Sequence, residues 1–300
     1  MSERLFDEAT LRKLNRLTLV ASKVRAGVMK GERRSARRGT SLEFADYRNY
    51  TRGDDLRRVD WNVFARLERP FIKLFEEEED LSVYLIIDAS ASMNWPQDGA
   101  DPGSHKFRFA QHVMAALGYI ALGTGDFLSV TALSGGNQFL TWGPYRGRGR
   151  SLELLDFIGG LAPLGRVDLN VALRDYALRT ARAGLCLIVS DLLSPDGFQD
   201  GLAALQNVGH EIGLIHVLSP DEVDPPLAGD LQLIDVETGA AQDVTVDAAM
   251  RDLYIDRLLT WRDAIARYCL RRAIHYATVE SSTSWEALIL FELRRMGLIR

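Results

Sequence analysis

Asp88-Ala89-Ser90-Ala91-Ser92 follows directly on an apolar, strand-forming run, Leu81 to Ile87. A carboxylate and two hydroxyls at alternate positions, on a loop leaving a buried strand, can converge on one hard cation. A magnesium-type ion takes oxygen ligands in near-octahedral array at about 2.0–2.1 Å and usually keeps several waters. One carboxylate with two neutral hydroxyls leaves such an ion short of negative charge. It would then accept a carboxylate from another macromolecule, which is docking chemistry more readily than catalysis. The alternative is that Asp and Ser stand here as ordinary loop residues, bonding nearby backbone and capping helices. The elements around them decide between these readings.

Those elements alternate. Leu81–Ile87, Asp126–Leu133, Leu185–Val189 and Ile212–Leu218 read as strands. Helical segments fall near Lys106–Gly123, at Ser151–Leu161, Leu169–Ala181 and Asp196–Asn207, with Gln138–Trp142 pairing to the strand before it. Strands alternating with helices predict an α/β fold with a mostly parallel sheet covered by helices on both faces. Ligands of such sheets sit at the carboxyl ends of the strands, where strand order reverses. Asp88 and Asp191 both fall directly after a strand or one residue beyond it. Residues 8–30 carry a helical stripe from Leu11 to Val28, and Leu56–Ala65 reads as a short helix. Phe71–Phe75 alternates as a strand. The acid run Glu76–Asp80 reads as a solvated strand edge. Beyond the proline-rich break Asp221–Pro226 come short strands at Leu231–Asp235 and Asp243–Val246. A long helix at Ala248–Arg272, a strand at Ala273–Val279 and a helix at Trp285–Met296 follow.

Catalytic companions are sparse. A phosphatase of the strand-end aspartate type needs a second acid two residues on to shuttle a proton, and Ser90 holds that position. Neither Ser90 nor Ser190 sits in a Gly-x-Ser-x-Gly elbow, and no Gly-x-x-x-x-Gly-Lys run cradles phosphate. Five histidines and two cysteines, Cys186 and Cys269, lack zinc spacing, and both cysteines read as buried free thiols. A non-enzymatic role is the expectation, with a metal-dependent hydrolase as the alternative.

Charge is uneven. Residues 1–75 hold 18 Lys and Arg against 10 Asp and Glu, and the remainder holds 18 against 31. Arg12 to Arg38 carries ten basic residues and one acid, Glu32, without aromatic residues for base stacking. A solvated or protein-facing basic helix is therefore preferred to a nucleic-acid-binding module, which is kept as an alternative. No run reaches the roughly 18 apolar residues a membrane span needs. Met1-Ser2-Glu3-Arg4 lacks a secretory pattern, so cytoplasmic residence is expected.

Together these residues carry a resemblance. Asp88-Ala89-Ser90-Ala91-Ser92-Met93 resembles the metal-ion-dependent adhesion motif of von Willebrand factor type A domains, with Ser190-Asp191 as its late acidic ligand. Gly39-Thr40-Ser41-Leu42-Glu43-Phe44-Ala45-Asp46-Tyr47-Arg48 is similar to the signature of the bacterial family called "domain of unknown function 58" (DUF58). So is Gly53-Asp54-Asp55-Leu56-Arg57-Arg58-Val59-Asp60-Trp61. The resemblance implies a von Willebrand factor A-like, Rossmann-like sheet. It also implies a MoxR-type AAA+ ATPase as partner, acting with the chain, chaperone-like, on a client protein complex. It implies magnesium at Asp88, Ser90 and Ser92, with Asp191 through water. The motif ordinarily draws a threonine from a middle loop; here Val167 holds that place and offers no oxygen. Either Asp168 shifts in as a ligand, water fills the gap, or the ion has been lost.

The expected organisation is a basic amphipathic helix (1–35), the signature segment as a small lobe (36–79) and the A-like domain (80–220). Strands at 221–247 would add to the small lobe, and 248–300 would supply C-terminal helices and the last strand. Arg48, Asp54, Asp55, Arg57, Arg58 and Asp60 read as internal ion pairs and caps around a buried Trp61, in preference to a charged face for a partner.

Overall fold

The computed structural model describes residues 5–21, 42–51, 59–67, 69–77, 81–96, 102–180 and 182–300. They fall into two units, one of Met1–Val28 with Leu81–Arg300 and one of Met29–Asp80.

The larger unit is built on six strands: β3 (Ser82–Asp88), β4 (Phe127–Ser134), β5 (Gln138–Tyr145), β6 (Leu185–Ser190), β7 (Glu211–Leu218) and β10 (His275–Glu280). Their order is β10-β7-β6-β3-β4-β5, parallel throughout except for β5 on the edge. This is the mostly parallel α/β arrangement, covered by helices on both faces, that the alternating elements predict. β6 and β7 are buried along their whole length, as a sheet covered on both faces requires.

Side chains on β3 alternate between two cores. Val83, Leu85 and Ile87 pack with α3 (Lys106–Thr124) and α4 (Ser151–Gly159). Ile86 packs on the other face with α5 (Leu169–Arg179), α6 (Gln199–Asn207) and α8 (Ala248–Arg271). Cys186 and Cys269 lie in this second core as buried free thiols. From β3 the chain runs outward through β4 and β5, then returns to β6 on the other side of β3 and proceeds through β7 to β10. Strand order thus reverses between β3 and β6, so the crevice of the sheet opens at their carboxyl ends. Asp88 ends β3 and Ser190 ends β6.

Several expected boundaries shift. The N-terminal helix α1 is only Glu8–Leu14, capped by the Asp7 carboxylate on Thr10 N–H. The stripe beyond it is extended: Leu19 bridges Ile299, and Thr18 and Arg300 exchange backbone bonds. The apolar spacing there reports burial under the C-terminus rather than helix; residues 22–30 lie outside the described set. The last expected helix is a short α-turn, α9 (Trp285–Ala287), running into a π-helical turn at Leu288–Leu293. Pro220–Val223 forms one helical turn, α7.

The smaller unit pairs β1 (Leu42–Asn49) antiparallel to β2 (Phe71–Glu77), with an irregularity between Phe44 and Asp46. Between them α2 (Trp61–Leu67) is capped by the Asp60 carboxylate on the N–H groups of Asn62 and Val63. Trp61 is 59% exposed, which corrects its reading as a buried anchor. Arg48 has no described side chain, and Asp54, Asp55, Arg57 and Arg58 lie outside the described residues. The strands β8 (Gly229–Ile234) and β9 (Ala241–Val246) form a separate hairpin that belongs to the larger unit. A single lobe uniting 36–79 with 221–247 is therefore not formed. Among the described residues no helix is long and apolar enough to cross a membrane.

Candidate functional site

Four of the five expected ligands meet at the crevice. As β3 ends, Asp88 turns its carboxylate back onto its own loop, and Oδ1 accepts the Ser90 N–H at 2.9 Å. Its Oδ2 accepts the Ser190 hydroxyl at 2.6 Å, tying the ends of β3 and β6 together. Ser90 and Ser92 present hydroxyls 3.0 Å apart, and Ser92 is also a hydrogen-bond partner of Asp191. Ser190 Oγ accepts Leu192 N–H and Asp191 Oδ1 accepts Leu193 N–H, which folds the chain sharply after β6. Leu192 consequently adopts φ 58°, a left-handed conformation uncommon for a bulky side chain. Strain of this kind persists only where the surroundings over-determine it, and it clusters at functional sites.

A neighbouring loop braces the rim. Leu164 N–H bonds Ala89 O and Ala91 N–H bonds Gly165 O. Gly165 sits at φ 69° against Gly135, where an added Cβ would stand 2.9 Å from the Gly135 Cα. Two glycines thus permit the close approach that holds the Asp88 loop in place. Val167 points into the second core beside Ile86 and Leu133, so an apolar residue suits its position. Asp168 is not brought to the site as a ligand: its Oδ1 caps α5 by accepting Val171 N–H.

Sequence reasoning missed one partner. Lys106, the first residue of α3, is 0% exposed, and its Nζ lies 2.7 Å from Asp191 Oδ2 and 2.6 Å from Glu222 Oε1. A signal was present, because a cation in the first turn of a helix opposes the helix dipole. That turn contains no acid. Glu222 is oriented by a reciprocal capping box with Ser219 at the start of α7.

The electrostatics follow from burial and this pairing. Burial raises Asp88 to about 6, Asp191 adds to the rise, and the bonds from Ser190 and Ser90 oppose it. Burial also acts to raise Asp191, but the Lys106 ammonium, together with the bonds from Leu193 N–H and Ser92, outweighs it and holds the carboxyl below its ordinary value. Lys106 is raised, because its two carboxylates outweigh desolvation. Glu237, half-buried in the β8–β9 turn, is raised by burial and then by the charges of Asp191 and Asp88, with Arg166 opposing. The hairpin tip therefore shares the electrostatic field of the rim.

The residues 46–262 match the family described as "Protein of unknown function DUF58", and the chain belongs to that family. It is 32% identical over 258 residues to "Uncharacterized protein Rv1480" of Mycobacterium tuberculosis, covering 85% of this chain and 79% of that one. Over 141 residues it is 33% identical to "Uncharacterized protein MAV169" of Mycobacterium avium, covering 46% of this chain and 83% of the relative. Among solved structures, BatB from Bacteroides thetaiotaomicron aligns with TM-score 0.42 and 15% identity, over 72% of this chain and 98% of that one. An aerotolerance-related membrane protein from Bacteroides fragilis aligns with TM-score 0.42 and 16% identity, over 70% and 96%.

The donor set fits a magnesium ion poorly. Such an ion needs oxygens converging on it in near-octahedral array at about 2.0–2.1 Å. Both Asp88 oxygens accept hydrogen bonds, Asp191 holds an ammonium, Val167 offers no oxygen, and Asp168 is spent on a helix cap. Ser90 and Ser92 remain as neutral donors. The chemistry of the rim is that of a braced, internally paired acid cluster that includes the half-buried Ser92.

Proposed function

We propose that this chain is a non-enzymatic protein-interaction adaptor, using the carboxyl rim of its sheet to engage a partner protein. The observation that carries the reading is the strained, doubly braced junction of the Asp88 and Asp191 loops, whose one hydroxyl–carboxylate pair, Ser190 with Asp88, is buried. Ser190 and the Asp88 carboxylate it bonds are both buried, closed off from any substrate, and Lys106 is held as a cation between two acids. Neither arrangement offers an accessible nucleophile. The partner favoured by the family resemblance is a MoxR-type AAA+ ATPase, with which the chain would act in the assembly or activation of another protein complex.

Binding of the purified chain to a purified MoxR-type ATPase, followed by biolayer interferometry, tests this. A bulky Ser92→Trp and a reversed Arg166→Glu should each weaken capture at least about tenfold while the melting curve stays in place. Undiminished capture by both variants would contradict the reading. In the magnesium-dependent version, capture is lost in chelator and in Asp88→Ala. The hydrolase alternative instead requires phosphoester turnover with added magnesium or manganese that Asp88→Asn abolishes. The nucleic-acid alternative requires steeply salt-dependent binding through Arg33, Arg34, Arg37 and Arg38.

A further inference from the structure

We propose that the Lys106 ammonium is the resident cation of this rim, standing beside Asp191 in the role a divalent ion takes in adhesion-type sites, so that the site assembles without metal. The inference does not rest on the adaptor reading, and its test uses the chain alone.

Three observations lead to it. First, nothing about α3 itself accounts for a lysine at its first position. The helix dipole disfavours a cation there, and lysine is almost never enclosed unless paired. Lys106 is enclosed along its whole stem; its N–H bonds Trp95 O on the loop that follows Asp88, and its Nζ is fixed by Asp191 and Glu222.

Second, its two carboxylates come from separate elements and are each aimed by further bonds. Asp191 is held by Leu193 N–H and Glu222 by Ser219 N–H. Such convergence on one ammonium, from the end of β6 and from α7, is what a built cation site looks like. Third, both oxygens of Asp88 and both of Asp191 already accept hydrogen bonds, and an ion drawn to Asp191 would sit within a few ångströms of a fixed positive charge. Like-charge repulsion in a water-poor crevice opposes that strongly.

The fixed cation makes a specific demand: its removal should hand Asp191 back to a metal. Chelator-treated wild-type chain, Lys106→Met, and Lys106→Met/Glu222→Gln would be titrated with magnesium and manganese by calorimetry and followed by thermal melts. The double substitution removes one charge of each sign and so leaves Asp191 as a single unpaired carboxylate, where Lys106→Met alone leaves two. We expect no one-site uptake by the wild type and identical wild-type melts in chelator and in magnesium. At least one variant should bind a divalent ion roughly tenfold or more tightly than the wild type, with a saturable rise in melting temperature. A variant that folds only with a divalent ion present gives the same answer. One-site uptake by the wild type that Asp88→Asn abolishes would overturn the proposal, as would folded variants that gain no affinity. Where neither variant folds in any buffer, the wild-type titration and its Asp88→Asn control decide.

Discussion

The Ser190 hydroxyl lies 2.6 Å from Asp88 Oδ2, joining the carboxyl ends of two strands that are neighbours in space and 102 residues apart in sequence. This bond closes the crevice at which strand order reverses, and it puts a donor on a buried carboxylate that would otherwise lack one there. Ser190→Ala should cost about 1–3 kcal/mol in denaturant unfolding, the expected range for leaving a buried acceptor without its partner. An unchanged midpoint would mean that the bond does not hold the crevice together.

Asp88 and the buried His216 should pull stability in opposite directions with pH. Asp88 is raised from 3.8 to about 6, so the folded state binds more protons between those values. Its contribution therefore falls as pH rises through that window and is a steady cost above it. Asp88→Asn should gain on the wild type at pH 7–8, with the gap narrowing as pH falls from 6 toward 4. A gap that widens on acidification would contradict the raised carboxyl.

His216 behaves inversely. Burial is the main cause pushing it down to about 4 from 6.5, so its contribution is complete above pH 6.5 and is lost as pH falls toward 4. His216→Gln should flatten the acid side of the stability profile by something on the order of 2–3 kcal/mol across that range, read from urea melts at stepped pH. An equally steep profile in the variant would assign the acid sensitivity elsewhere.

How much of this site the sequence discloses depends on distance along the chain. Asp88 and Asp191 are readable because each follows an apolar strand run, and parallel-sheet geometry places ligands at strand ends. The pairing of Lys106 with Asp191 and Glu222 spans separations of 85 and 116 residues, which no local pattern encodes. The misread N-terminal stripe has a related cause. Leu17, Leu19 and Val20 are apolar because the chain is covered there, with Leu19 bridged to Ile299, so tertiary packing produced spacing that mimics a helix. Trp61 misled in the other direction, since its aromatic bulk implies a core position that the exposed face of α2 does not supply.

Gly165 offers a test of the brace under the Asp88 loop. Gly165→Ala places a side chain at φ 69° and within 2.9 Å of Gly135 Cα. A left-handed non-glycine residue costs about 1–2 kcal/mol, and the crowding should add to it. Amide chemical shifts of Ala89 and Ala91, whose backbone bonds reach residues 164 and 165, should move with it. Shifts confined to residues next to Gly165 would show that the two loops are not coupled.

The ion-pair cluster should be asymmetric in its response. Lys106→Ala leaves two carboxylates facing each other and should cost about 3–5 kcal/mol, whereas the partly exposed Glu222→Gln should cost less. Equal losses in equilibrium unfolding would contradict the burial difference between the two partners.

The most direct test of a metal-free rim is a crystal grown in millimolar manganese and measured at the manganese absorption edge. The account predicts no anomalous peak among Asp88, Ser90, Ser92 and Asp191, with Lys106 Nζ in density beside Asp191. A peak coordinated by those residues, with the lysine displaced from Asp191, would contradict it.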